Sequence, residues 1–90
     1  MPRYPKSQLL ESINDNNSYG ASFVSEENIQ KVVDFYSNSL LQTGWESTLV
    51  KKTETNYVFE IKNAAYSGEV IVNTASDGKS TAISVSVEPR

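Results

Sequence analysis

The stretch Ser25–Trp45, SEENIQKVVDFYSNSLLQTGW, decides the fold. Within it Ile29, Val32, Val33, Tyr36 and Leu40 recur at helical spacing, and at about 100° per residue they fall on one stripe. Gln30, Lys31, Asp34, Ser37, Asn38 and Gln42 take the other side, and Phe35 and Leu41 lie on opposite flanks. Ser25 is placed to cap the first turn, with Glu26 and Glu27 where the helix dipole favours carboxylates. Gly44 suits the left-handed position that ends a helix without straining a Cβ. A lone helix of this length is marginal in water, so its apolar stripe needs a partner.

The rest of the chain offers strands. Downstream of Gly44 the apolar period changes from 3.6 to 2. Trp45, Ser47, Leu49 and Lys51 share one face of the next strand, and Tyr57, Phe59 and Ile61 share a face of the one after. A short loop at 53–55 sets Leu49 opposite Phe59 and Val50 opposite Val58. Residues 63–67 connect to a strand in which Gly68, Val70, Val72 and Thr74 alternate with Glu69, Ile71 and Asn73. Asp77-Gly78 fits a two-residue hairpin, pairing Val72 with Ile83 and Val70 with Val85. The last strand, 81–87, alternates Ile83, Val85 and Val87 with outward Ser84 and Ser86. It is also read as an edge able to accept another strand.

Upstream, residues 1–7 form an extended arm with Tyr4 and Pro5 along the surface, and 8–13 a strand with Leu9 and Ile13 on one face. Leu10 interrupts that alternation. Asn14-Asp15-Asn16-Asn17 is a turn signal, because short polar side chains bond their own backbone. Strand 18–24 follows, with Tyr19, Ala21 and Phe23 on one side. The order ββαββββ predicts a single α+β domain over 1–90: one helix packed on a curved, mainly antiparallel sheet. One helix about 10 Å wide cannot cover a flat sheet of six strands spaced roughly 4.8 Å apart, so the sheet is expected to curl around it, with one face buried and the other solvated.

Composition narrows the function classes. Hydrophobic residues make up 38% and charged residues 21%, as in an ordinary globular domain. The net charge of −3 opposes nucleic acid, and Lys51-Lys52 is too small a basic patch to reverse that. No apolar run is long enough for a membrane span, and the N-terminus lacks an apolar signal core, so the expected location is cytoplasmic, with the envelope as the alternative for a chain whose leader has been removed. The chain has no His and no Cys, which removes the commonest nucleophile–base pairs and His- or Cys-ligated metals.

Tyr4-Pro5, Glu26-Glu27 and the segment FYSNSLLQTGW (35–45) carry a resemblance over nearly the whole chain. It is similar to a family of small uncharacterised bacterial domains of cyanobacterial type. These show Tyr-Pro near the start and FYxxxLxxxGW at the helix end. That family has no known activity, so the resemblance implies no site residue. The element order also resembles the helix wrapped by a sheet of cystatin-like folds, in architecture alone, since the inhibitor signature Gln-x-Val-x-Gly is absent.

Few motifs carry chemistry. Ser76-Asp77-Gly78-Lys79 matches S-x-x-K, but on a hairpin turn rather than on the helix that would make the pair converge. Asn14–Asn17 lacks the spaced acids of a calcium loop, and Asn16-Asn17-Ser18 is a formal glycosylation sequon. Glu46, Glu60, Lys62 and Glu69 project to the outer sheet face as exposed cross-strand charges. The resulting expectation is a non-enzymatic binding module without cofactor or metal, meeting a protein partner or a second copy through the open face, at Val50, Val58 and Ile71, or through an edge strand. The alternative is a small-ligand pocket between helix and sheet, rimmed by Phe35, Trp45, Tyr57 and Tyr66.

Overall fold

The computed structural model describes residues 4, 5, 7–15 and 17–90. In chain order the elements are β1 (Gln8–Asp15), β2 (Ser18–Ser25), α1 (Ile29–Gln42), β3 (Glu46–Lys52), β4 (Asn56–Lys62), β5 (Tyr66–Thr74) and β6 (Thr81–Pro89). The strands form one six-stranded open sheet in the order β1-β2-β6-β5-β4-β3, and every neighbouring pair is antiparallel. The expected ββαββββ order is therefore present. The last strand is not an edge, because β6 is hydrogen-bonded to β2 on one side and β5 on the other. The edges are β1 and β3.

The helix starts later than Ser25. Asn28 is its N-cap, with Oδ1 accepting the Lys31 N–H at 3.0 Å, which satisfies one of the free donors of the first turn. Ser25 is held in the ladder opposite Thr81, and its Oγ accepts from the Glu27 N–H at 3.1 Å. Glu26 and Glu27 thus precede the helix, and its first turn carries no acid. Thr81, 1% exposed, anchors this junction from the sheet: its hydroxyl donates to the Glu27 carbonyl at 2.8 Å.

The C-terminus ends as Gly44 and Trp45 require. With Thr43 as C-cap, the Gly44 N–H donates to the Leu41 carbonyl at 3.3 Å and the Trp45 N–H to the Leu40 carbonyl at 2.9 Å. These are the two bonds of a Schellman motif, and Gly44 takes φ +88 to make them. The motif turns Trp45 back into the same apolar cluster as Leu40.

That cluster fills the space between the layers. Val32, Val33, Tyr36 and Leu40 of α1 face Phe23, Phe59, Val70, Val72, Ile83 and Val85 of the sheet, all buried. Tyr57, Phe59 and Ile61 are all buried, as the alternation predicts. Of the helix flanks, Phe35 is half-buried and Leu41 is 65% exposed. One helix does not reach the sheet's margins. Leu9 and Leu49, which pair with the inward Phe23 and Phe59, are 44% and 42% exposed.

Both edge strands carry a register shift. In β1 it falls at Leu10, between Leu9↔Phe23 and Glu11↔Ser22. Leu9 therefore shares a face with Phe23, whereas Ile13 pairs with Gly20 on the outer side. The expectation that Leu9 and Ile13 share a face fails, because the extra residue flips the alternation beyond it. In β3 the shift falls at Val50, so Lys51 rather than Val50 stands opposite Val58. This also moves Lys51 off the Trp45–Leu49 face. Leu49 opposite Phe59 holds.

The β5–β6 register pairs Val72 with Ile83 and Val70 with Val85, as Asp77-Gly78 predicts. The loop is longer than two residues. Ala75 N–H donates to the Ser80 carbonyl at 2.8 Å, and Gly78, at φ +75, donates to the Ala75 carbonyl at 3.0 Å. Asp77 stabilises this wider turn: Oδ1 accepts from the Lys79 and Ser80 N–H groups, and Oδ2 from the Ser80 hydroxyl, each at 2.8 Å. A carboxylate is a better partner for these donors than a carboxyl, and its pKa is lowered accordingly.

Of the arm, Tyr4 is half-buried, with its ring edge-on to Phe35 at 5.1 Å, and Pro5 is exposed. Residues 1–3 and 6, which the extended-arm reading includes, lie outside the described residues.

Candidate functional site

The outer face of the sheet can be read in rows, since paired residues of adjacent strands share a side. One row runs Glu46, Lys62, Ser67, Glu88. The next runs Thr48, Glu60, Glu69, Ser86, and beyond the β3 bulge comes Lys51, Val58, Ile71, Ser84. The first two rows line a groove of about 530 Å³, with the backbone of Gly68 in its wall. Four carboxylates therefore face one ammonium. Lys62 Nζ lies 3.7 Å from Glu46 Oε2 with both side chains well exposed, a pairing worth little in water. Glu60 and Glu69 stand directly opposite each other across β4 and β5, where like charges repel. Among the described residues no group of three or more His, Cys, Asp or Glu side chains is arranged to hold a metal ion.

Gly68 explains how the strands meet here. A Cβ at this position would overlap the Ser86 carbonyl oxygen and come within 2.7 Å of Val87 Cα. The contact is with backbone, which cannot swing aside as a long side chain would. Only glycine allows β5 and β6 to approach so closely at this point.

Of the sequence-derived interaction face, the structure brings two members together. Val58 and Ile71 pair across β4 and β5, both half-buried. Val50 occupies the edge bulge, 50% exposed, with Lys51 between it and the Val58 position. Glu46, Glu60, Lys62 and Glu69 are all on the outer face and exposed, as the registers predict. Glu88 joins them because β6 lies beside β5. The alternation of Ser84, Ser86 and Glu88 already marks that outward direction.

The four residues proposed to rim an internal pocket do not ring one cavity. Trp45 and Tyr57 are core residues, 8% and 7% exposed. Phe35 packs edge-on against both Tyr4 and Tyr36, with ring centroids 5.1 Å apart in each case. Tyr66, 37% exposed, pairs with Pro89 near the Asn63 turn, whereas Tyr57 pairs with Val72 at the other end of β5. At ~3.3 Å per residue, those two ends are roughly 20 Å apart. Between them the interior is occupied by Val32, Tyr36, Leu40, Val70 and Val72, each 0% exposed.

The remaining motifs have structural roles. Ser76 and Lys79 of the S-x-x-K match are exposed on the β5–β6 loop. Asn17 takes φ 68 in the β1–β2 turn, while Asn16, the sequon asparagine and a member of the calcium-loop candidate, lies outside the described residues. No helix among the described residues is long and apolar enough to cross a membrane.

The geometry defines a class: an α+β domain in which one helix covers one face of an open antiparallel sheet and leaves the other bare. A family model described as START domain-like matches residues 7–89, and the chain belongs to that family. No curated protein shows a significant match, and neither does any solved structure.

Proposed function

We propose that the chain is a non-enzymatic binding module that meets its partner on the open face of the sheet. The observation that carries this reading is the contrast between the two sheet faces. The helix side is packed, with Val32, Tyr36, Leu40, Val70 and Val72 each at 0% exposure. The outer side is uncovered and presents a groove beside the Val58–Ile71 pair. A partner meeting this groove meets four carboxylates and one ammonium, so the electrostatics favour a cationic or hydrogen-bond-donating surface. The same repulsion works against a second copy docking groove to groove.

Retention of proteins by the immobilised chain tests the reading. Val58→Lys and a Glu60→Lys, Glu69→Lys double variant are compared with the parent after their urea midpoints are shown to be unchanged. Each variant should lose partners that the parent retains. Identical sets from all three would sink the claim for this face.

A second reading draws on the family match, since START domain-like membership supports a ligand-binding fold. A small ligand between helix and sheet would have to displace Tyr36 and Leu40 or lift α1 away from β5. Either movement exposes apolar surface that the ligand must then cover.

A further inference from the structure

We draw no further inference here: the strongest candidate, the carboxylate cluster of Glu46, Glu60, Glu69 and Glu88 along the outer-face groove, belongs to the surface already described, and no second observation in the structure points to a particular ligand for it.

Discussion

The middle of the sheet and its two margins obey different rules. Residues 67–73 of β5 and 81–87 of β6 have a paired neighbour on both sides, and the alternation of buried and outward residues runs unbroken from Gly68 to Val72 and from Thr81 to Val87. In β1 and β3 one side is free, and each strand has a register shift beside adjacent apolar residues, Leu9-Leu10 and Leu49-Val50. Five of the large apolar residues exposed on this chain, Leu9, Leu10, Ile13, Leu49 and Val50, lie on those two strands. A central strand cannot slip without breaking two ladders, whereas an edge strand breaks only one. Bulges and lysines at an edge also hinder the addition of a foreign strand, and β3 has both, at Val50 and at Lys51-Lys52. This supports the proposed open face over the β3 edge as the contact surface.

The contrast predicts a graded set of responses. Leu40→Ala should cost the most, about 3 kcal/mol by urea denaturation, because a fully buried side chain leaves a cavity under the Schellman turn. Gly68→Ala should cost roughly 2 kcal/mol, since the added methyl meets backbone on β6. Gly20→Ala is its control in the sheet: the nearest atom to a Cβ there is the Val85 carbonyl oxygen at 3.8 Å, an ordinary contact. Equal losses for the two would remove the close β5–β6 approach from the account.

Thr81→Val should lose about 1 kcal/mol through the unmade bond to the Glu27 carbonyl, and Thr81→Ser should recover part of it. At the margin, Leu10→Ser and Ile13→Ser should each fall within about 0.5 kcal/mol of the parent. A loss like that of Leu40→Ala would mean β1 is covered in solution.

The smallest expected effect is in pH. Asp77 has a lowered pKa in the folded chain, so its contribution is present above the ordinary carboxylate range and is lost as pH falls through the folded value. Tyr4 is displaced the other way: burial, then Glu27, raises its pKa, with Lys31 opposing. Its contribution is present below the ordinary tyrosine value and is lost as pH rises through the folded one. Asp77→Asn should flatten the acid limb of a pH–stability curve, and Tyr4→Phe the alkaline limb.

Much of the central architecture was legible in the sequence. Period-2 runs fix which side of a doubly paired strand is buried, and the turn signals at 53–55 and Asp77-Gly78 set the Leu49–Phe59 and Val72–Ile83 registers. Gly44-Trp45 announced the helix end because a left-handed residue followed by an apolar one satisfies the Schellman geometry. The helix start is ambiguous in the sequence because Ser25 and Asn28 are both competent caps, and only the tertiary pairing of Ser25 with Thr81 decides between them. Position in the sheet was also hidden. Nothing local in 81–87 says that β6 inserts between β2 and β5, since that pairing spans the helix and the β3–β4 hairpin. The outward direction of Glu46, Glu60 and Glu69 is legible strand by strand, but the groove requires the neighbour order that brings Glu88 beside Ser67.

The most direct test of the central claim is a ¹⁵N-HSQC titration of the labelled chain with protein and small-molecule fractions of a cell lysate. The account predicts that the fraction that binds shifts Val58, Glu60, Glu69 and Ile71 while Tyr36, Leu40 and Val72 stay in place. Shifts concentrated at Tyr36, Leu40, Trp45 and Val72, with the outer face unmoved, would contradict it and place the ligand between helix and sheet.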